Sequence, residues 1–332
     1  MLLTAIVHQY PPLHNAGAEW YLHSMLRWMV NRGHQAQVYV SRGRSMTWDG
    51  VKINVFRSTG QNIQGDVLIT HLDLTRQAIE VSKRRKIPLI HIIHNDRQLQ
   101  FHTVARQEAD LVVFNSHWIE RAVGWHGRHM VVQPPVFVKD YEHIGYSPER
   151  CATTLINLSR AKGAEIFWAL AEADPDRTFL GVRGAYGEQM EPAVRPPNVV
   201  VMDQTPDVRQ VYDVTKVLLM PSSYESFGRV AIEAACQGIP TIASPTPGLR
   251  EALNSAGIFV HQHPTHQIPA SGIATQIVPE QGPIEAWQEK LRQLDDPAFY
   301  AQASQVAYAR ALQLQDHTDA QLERLEKELA NL

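Results

Sequence analysis

Short apolar runs alternate with amphipathic segments along most of the chain. The run Leu3–Val7 predicts a buried strand, and the apolar residues between Ala18 and Met29 recur at helical spacing before Gly33, a typical helix stop. Strands that alternate with helices in this way indicate a parallel sheet covered by helices on both faces. The other strands predicted for the first half are Val38–Val40, Val51–Phe56, Val67–Thr70, Pro88–Ile93, Leu111–Phe114 and Met130–Gln133.

A second series of the same kind follows a segment with little periodicity, from Val136 to Arg150. We therefore predict an α/β protein of two doubly wound, Rossmann-like domains that face a cleft, the first over residues 1–140 and the second over 150–314. After Pro283 the pattern is helical. The strands predicted for the second domain are Thr154–Leu158, Thr178–Val182, Val199–Met202, Val217–Met220, Thr241–Ser244 and Ile258–Val260.

Composition and charge argue against several classes of protein. The chain has 332 residues, 44% hydrophobic and 20% charged, and a net charge of -3 at pH 7, so it lacks the basic excess of a typical nucleic-acid binder. Cys151 and Cys236 suggest no disulfide framework or zinc cluster. The opening residues lack the basic stretch of a signal peptide, and no apolar run is long enough to span a bilayer, which predicts a cytoplasmic protein.

One local run of basic residues, Lys83-Arg84-Arg85-Lys86, departs from this balance. It predicts a solvated helix end. Peripheral contact with an anionic membrane surface, or with an acidic substrate, is the alternative.

The most informative segment follows the predicted strand Val217–Met220. It runs from Pro221 through Glu225 and Gly228 into a helix that carries Glu233. The exposed amides of a helix's first turn form an anion site, and carboxylates accept hydrogen bonds from vicinal sugar hydroxyls. A nucleotide sugar with its diphosphate at the helix start would have one carboxylate near each end. The alternative is a capped amphipathic helix with one incidental buried glutamate.

The segment Pro221–Pro240 closely resembles the signature of retaining glycosyltransferase family four: a Pro-Ser run, Glu-x-Phe-Gly, then Glu-Ala and Gly-x-Pro. The resemblance extends over nearly the whole chain and implies the GT-B architecture. It also implies a C-terminal helix, residues 315–332, that crosses back to the first domain.

The same resemblance implies roles for individual residues. Glu225 would hold the hydroxyls of the donor sugar, and Glu233 the ribose. The amides of Ser226, Phe227 and Gly228 would meet the sugar and the phosphate.

A second candidate group follows the predicted strand Thr154–Leu158. Arg160 and Lys162 lie at the carboxyl end of this strand, where cations neutralise a diphosphate as charge develops on it. By the family resemblance these two residues are the diphosphate pair, although the loop is shortened and Ser159 replaces the usual glycine. The alternative is an exposed helix start with incidental basic residues. A diphosphate held by these cations and a helix N-terminus needs no metal ion.

The loop between the first strand and helix contains Ala16, Gly17 and Glu19. It resembles the family's Gly-Gly-Ala-Glu loop, with Ala16 in place of the first glycine. Gly17 is predicted to let the backbone approach a phosphate closely. A plain tight turn is the alternative.

Among the histidines, His94 stands out because it follows the apolar strand Pro88–Ile93 at its carboxyl end. The resemblance places a histidine here at the junction of donor and acceptor. His91 should point to the opposite face and pack against the protein. His71 and Asp73 follow another strand and are candidates for acceptor contact.

Two further patterns are weaker. Asp174-Pro175-Asp176 has the Asp-x-Asp form of metal-dependent glycosyltransferases, but it lies between a helix end and a strand start, which favours a turn. The glycine-rich segment Gly181–Gly187 lacks dinucleotide spacing, and we expect it to shape the wall near the nucleotide base.

We therefore predict a retaining, metal-independent glycosyltransferase that takes a sugar from a nucleotide-diphosphate donor to an unidentified glycan, lipid or small molecule. It needs no cofactor beyond the donor. The predicted catalytic residues are His94, Glu225, Arg160 and Lys162, and the predicted donor-binding residues are Gly17, Ser226, Phe227, Gly228 and Glu233. Another GT-B activity, such as a nucleotide-sugar epimerase, and a catalytically silent sugar-nucleotide-binding protein are the alternatives.

Overall fold

The structure is a computed structural model that describes residues 1–96, 108–141, 150–260 and 284–332. The chain divides into two compact units. The first comprises Met1–Pro135 with His317–Leu332, and the second comprises Val136–Asp316. The segment from Val136 to Arg150, whose sequence has little periodicity, belongs to the second unit, and its residues 142–149 lie outside the described part.

The first unit is built on a mostly parallel sheet. Its described strands are β1 (Leu2–Val7), β2 (Gln35–Val40), β3 (Met46–Trp48), β4 (Val51–Val55), β5 (Val67–Thr70), β6 (Leu89–Ile93), β7 (Leu111–Phe114) and β8 (His129–Val131). They lie in the order β3-β4-β2-β1-β5-β6-β7-β8, and β1 pairs with both β2 and β5. The chain therefore reverses its direction of winding beside β1, which is where doubly wound sheets bind ligands.

The short strand β3 is missing from the sequence-based prediction. It pairs with β4 in the antiparallel sense, with Trp48 opposite Val51. The two residues between these strands, Asp49 and Gly50, have φ values of 46° and 76°. Two successive positive φ values define a type I′ hairpin turn, for which Asp-Gly is a preferred sequence.

The first unit's described helices are α1 (Gly17–Asn31), α2 (Thr75–Arg85) and α3 (His117–Val123). Helix α2 ends at the basic run, and Lys86 closes it in the left-handed conformation with φ of 57°. Arg84 pairs with Glu80 one turn earlier, at 2.7 Å, and both side chains are about half exposed. The basic run is thus a solvated helix end.

The second unit has its own parallel sheet. Its strands are β9 (Ala152–Ile156), β10 (Phe179–Val182), β11 (Val199–Met202), β12 (Thr215–Met220), β13 (Thr241–Ala243) and β14 (Gly257–Phe259). They lie in the order β11-β10-β9-β12-β13-β14. Because β9 lies between β10 and β12, the loops that follow β9 and β12 meet where the winding reverses.

Helices cover this sheet as well. Those in the described residues are α4 (Ala164–Ala173), α5 (Arg209–Tyr212), α6 (Arg229–Ala235), α7 (Pro247–Leu253) and α8 (Ile284–Gln293). Helices α6 and α7 follow β12 and β13 and pack with Phe227 and Leu249 into one apolar cluster. Because Phe227 belongs to the segment between β12 and α6, this packing holds that segment in place.

The last helix, α9 (Pro297–Leu329), contributes residues to both units. Its final turns are tied to the first unit by hydrogen bonds from Trp28 Nε1 to Asp319, at 3.0 Å, and from Arg32 Nε to Glu326, at 2.9 Å. In the part of the chain that the structure describes, no helix has the length and apolar character that crossing a membrane requires.

Candidate active site

Two loops of the second unit meet at the carboxyl edge of its sheet, one after β9 and one after β12. The Ser223 backbone N–H and hydroxyl both donate to the Ala161 carbonyl, at 3.0 and 3.2 Å. Gly163 has φ of 85°, and a Cβ atom there would lie 2.5 Å from the Pro221 carbonyl oxygen. The close approach of the two loops therefore requires glycine at this position.

The contact of these loops brings Lys162 to Glu225. Lys162 Nζ lies 2.6 Å from Glu225 Oε1, and the Ser222 hydroxyl donates to the same oxygen at 2.9 Å. Glu225 is buried, as is Ser222. No donor from the residues described here reaches the second oxygen, Oε2. One half of the carboxylate is therefore held by the protein, and the other half can accept hydrogen bonds from a ligand.

The two predicted diphosphate cations have different surroundings. Burial would lower the pKa of Lys162, but the charge of Glu225 and the nearby Tyr186 outweigh it, so this pKa lies above its usual value. Lys162 is therefore charged at neutral pH. The Arg160 side chain is 55% exposed and pairs with Glu165 at 3.1 Å. The structure thus joins Lys162 to Glu225 but leaves Arg160 on the surface in a weak ion pair.

Glu233 lies inside a buried polar cluster. Its Oε1 accepts hydrogen bonds from Tyr141, at 3.0 Å, and from Arg229, at 2.6 Å, and its Oε2 accepts one from Tyr212, at 2.9 Å. Burial raises the pKa of both tyrosines, so both remain protonated donors. A carboxylate offers about four acceptor positions. Described residues fill three of them, which leaves one position, at Oε2, for a further hydrogen bond.

Phe227 and Gly228, between the two glutamates, are buried inside the second unit. The Phe227 side chain is in the core, and Gly228 has φ of 102°. A Cβ atom at Gly228 would lie 2.5 Å from Leu249, and one at Gly248 would overlap the Glu225 carbonyl oxygen. Helix α7 can therefore pack closely against this loop, and contact of a ligand with the amides of Ser226, Phe227 and Gly228 stays a prediction.

The glycine-rich loop after β10 is fastened beside this site. Asn157, in the left-handed conformation with φ of 73°, accepts a hydrogen bond from Gln189 at 3.1 Å. Gln189 in turn accepts from the Gly184 amide at 2.8 Å. The loop carries Tyr186, which contributes to the raised pKa of Lys162. Contact with a nucleotide base stays a prediction.

In the first unit, His94 follows β6 at its carboxyl end and shares a 2.8 Å hydrogen bond with His71, which follows β5. Both rings are buried, and the Tyr21 and His94 rings pack edge to face. Burial lowers the pKa of His71 to about 4, so this ring is neutral at physiological pH. His91 is also buried, with its Nε2 3.4 Å from the Thr75 hydroxyl, as expected for a packing residue.

Gly17 is the first residue of α1. Apart from its chain neighbours and its own helix backbone, no atom of the described residues lies within 4 Å of the position that its Cβ would take. The protein itself therefore does not require glycine there. Two residues on, burial and then the charge of Asp73 raise the pKa of Glu19 to about 7. His14 Nε2 lies 3.8 Å from the Glu19 carboxylate. Titratable groups thus gather at this edge of the first sheet.

Within residues 1–96, 108–141, 150–260 and 284–332, no three histidine, cysteine or acidic side chains are arranged to hold a metal ion. Asp174, of the Asp-x-Asp pattern, pairs with Arg177 at 2.8 Å in the turn that precedes β10. This turn is at the amino edge of the sheet, away from the loops described above.

Sequence reasoning missed several residues around the predicted ones. Ser222 could have been found, because it lies in the motif three residues before Glu225. Tyr141 and Tyr212 could not, since they reach Glu233 from distant segments without any motif of their own. His71 was a candidate for acceptor contact, whereas its partner in the structure is His94.

Comparison with solved structures shows the fold. The chain is similar to sucrose-phosphate synthase from Thermosynechococcus elongatus, with 16% identity, complete coverage of both chains and a TM-score of 0.73. It is also similar to Anabaena Alr3699/HepE in complex with UDP-glucose, with 18% identity, complete coverage of both chains and a TM-score of 0.78. The predicted α/β fold of the GT-B glycosyltransferases is therefore confirmed.

Sequence comparison matches a smaller part of the chain. Residues 167–274, about a third of it, match the family model described as "Glycosyl transferases group 1". The "D-inositol 3-phosphate glycosyltransferase" of Corynebacterium urealyticum is 31% identical over 140 residues, which is 42% of this chain and 27% of the relative. The "D-inositol 3-phosphate glycosyltransferase 1" of Catenulispora acidiphila is 34% identical over 95 residues, 28% of this chain and 21% of the relative. The matches thus span about a quarter of the relatives' length. Together with the fold, they support a group 1 glycosyltransferase.

Proposed function

We propose that this protein is a cytoplasmic, retaining glycosyltransferase that moves a sugar from a nucleotide-diphosphate donor to an acceptor hydroxyl without a metal ion. The observation that carries the proposal is the pairing of Lys162 with one oxygen of Glu225, at 2.6 Å, where the winding of the second sheet reverses. The resemblance to group 1 glycosyltransferases, and the UDP-glucose complex of the similar Anabaena protein, support the choice of donor.

Lys162 would stabilise the leaving group. When the bond between the anomeric carbon and the diphosphate breaks, negative charge develops on the departing nucleoside diphosphate. The Lys162 ammonium has three hydrogen-bond donors, so it can hold Glu225 and a phosphate oxygen at once. Arg160 would add a second cation, because its exposed pair with Glu165 costs at most about 1 kcal/mol to break.

The two glutamates would hold the two ends of the donor. Oε2 of Glu225 would accept a hydroxyl of the donor sugar, and the single open position on Glu233 would accept one ribose hydroxyl. The amides of Ser226, Phe227 and Gly228 would contact the sugar and phosphate. In the first unit, His94 would contact the sugar or the acceptor, and Gly17 would leave room for a phosphate.

Calorimetric titration with UDP, ADP, GDP and TDP, each with and without EDTA, tests the nucleotide site and its independence of metal. We expect one of them to bind equally well in EDTA. Lys162→Met should weaken that binding about tenfold or more, since hydrogen bonds to charged groups contribute about 1.5–3 kcal/mol. Lys290→Met, on the surface helix α8, is the matched control and should bind like the wild type.

Mass spectrometry and proton NMR of the matching nucleotide sugars, with and without candidate acceptors, then test the chemistry, since NMR separates anomers and epimers, which have equal mass. Transfer, or slow hydrolysis of the donor with retained configuration, is expected. Inversion at a ring carbon with the nucleotide still attached would identify an epimerase. Binding without any turnover would identify a silent binding protein, and loss of binding in EDTA would refute metal independence.

A further inference from the structure

The Glu225 carboxylate is held asymmetrically. Its Oε1 accepts hydrogen bonds from Lys162 and Ser222, at 2.6 and 2.9 Å, which fills the two acceptor positions of that oxygen. Among the residues that the structure describes, none donates to Oε2. A ligand hydroxyl that binds Glu225 must therefore do so at Oε2, and the direction in which Oε2 points depends on the two groups that hold Oε1.

The Lys162 ammonium and the Ser222 hydroxyl differ in the other hydrogen bonds that they must make. The Lys162 ammonium lies where the diphosphate of the proposed donor would bind, so it must divide its donors between Glu225 and a phosphate. The Ser222 hydroxyl has one hydrogen to donate, and it gives it to Glu225. Ser222 is only 2% exposed, so solvent and ligand cannot easily displace this bond.

The backbone that carries Ser222 is itself fixed. Pro221 precedes it directly after β12, and the Ser223 N–H that follows is bonded to the Ala161 carbonyl at 3.0 Å. Ser222 is therefore anchored on both sides before any ligand arrives. Because the Ser222 backbone is fixed, the hydrogen bond from its hydroxyl restricts the orientation of the Glu225 carboxylate.

We propose that Ser222 is a positioning residue for the donor sugar. It locks the Glu225 carboxylate so that Oε2 accepts one sugar hydroxyl, and it keeps this orientation when Lys162 also engages the diphosphate. The proposal rests on the proposed function and adds a residue and a geometry to it. In this proposal one oxygen, Oε2 of Glu225, accepts a hydrogen bond from the donor sugar, and Ser222 sets its direction.

The test compares Ser222→Ala with Ser223→Ala. The second variant is a matched control, because among the described residues the Ser223 hydroxyl bonds to the Ala161 carbonyl alone, and the Ser223 amide still reaches that carbonyl in the variant. With the donor that proves active, Ser222→Ala should lower kcat/KM about 10- to 100-fold, as expected for a lost hydrogen bond to a charged group. Affinity for the bare nucleoside diphosphate should stay within about twofold, and Ser223→Ala should behave like the wild type.

Donor analogues that lack one sugar hydroxyl at a time separate positioning from a structural role. For the analogue without the hydroxyl that Oε2 accepts, the penalty of Ser222→Ala should largely disappear, because the bond that Ser222 aligns is already absent. An equal penalty with every analogue, or a kcat/KM within twofold of the wild type in a folded variant, would overturn the inference alone. If the wild type turns over no donor, the proposed function fails and the inference falls with it. Melting temperatures of both variants establish that they are folded.

Discussion

Replacing Glu19 by glutamine should stabilise the protein at alkaline pH. Burial and the charge of Asp73 raise the pKa of this carboxyl from 4.5 to about 7, although its own backbone N–H, in the first turn of α1, favours the charged form. The folded state therefore disfavours ionised Glu19. Glutamine has nearly the same shape and cannot ionise, so the variant escapes this cost.

The sign and size of the effect follow from the two pKa values. Below about pH 4.5 the carboxyl is protonated in both the folded and unfolded states, and Glu19 contributes nothing to the pH dependence. As the pH rises towards 7 the unfolded chain loses its proton first, so the free energy of unfolding falls. Above pH 7 the full difference is present, and it amounts to about 3 kcal/mol at 1.36 kcal/mol for each pH unit between the two values.

Thermal and urea unfolding at pH 4 and pH 8 provide the assay. At pH 8 Glu19→Gln should melt roughly 6–12 °C above the wild type, since 1 kcal/mol shifts Tm by about 2–4 °C in a unit of this size. At pH 4 the two proteins should melt together. Glu80→Gln, in an exposed ion pair with Arg84, is the control and should change stability by less than about 0.5 kcal/mol at either pH. A Glu19→Gln protein that is less stable than the wild type at pH 8, or equally shifted at both pH values, would refute the reasoning.

Two further predictions concern the predicted ligand contacts. Glu233→Gln should weaken nucleoside diphosphate binding about tenfold and reduce the preference for ribose over 2′-deoxyribose, because the one open acceptor position then lies on a neutral amide. It should also lower the free energy of unfolding by about 3 kcal/mol or more, since Arg229 loses its buried counter-charge; lower stability with unchanged ribose preference would exclude the ribose contact. His94→Ala should lower the transfer rate about tenfold or more and leave nucleotide affinity within a few-fold, because His94 belongs to the first unit. Turnover, nucleotide affinity and Tm measured on this variant test the role of His94. A large fall in Tm with normal turnover per folded molecule would show that His94 is a packing residue, hydrogen-bonded to His71.

The main strands of both sheets could be predicted because they are short apolar runs buried on both faces, such as β6 and β12. The hairpin at Asp49-Gly50 was missed, although Asp-Gly is a strong turn signal, because β3 has only three residues and no alternating pattern. Strands were predicted from the length and periodicity of apolar runs, and not from turn residues. A short edge strand gives neither signal.

The candidate site could be predicted only in part. The sequence places Glu225 and Lys162 after two predicted strands, and therefore at the carboxyl edge of the sheet. That these strands, β9 and β12, are neighbours follows only from the strand order in the structure. The partners that hold individual atoms do not follow, because they depend on side-chain packing between distant segments. Arg160 pairs with Glu165 on the following helix, and Glu233 is surrounded by Tyr141 and Tyr212, which no spacing rule connects to it.

The division of helix α9 between the units has a consequence for biosynthesis. The first unit comprises Met1–Pro135 and His317–Leu332, and Leu322, Leu325 and Leu329 of α9 are buried. While the ribosome is still translating the second unit, Trp28 and Arg32 on α1 therefore lack their partners Asp319 and Glu326. The second unit is one uninterrupted stretch of chain, so it can complete its folding before the first unit does. A release of the nascent chain before His317 would leave the first unit incomplete.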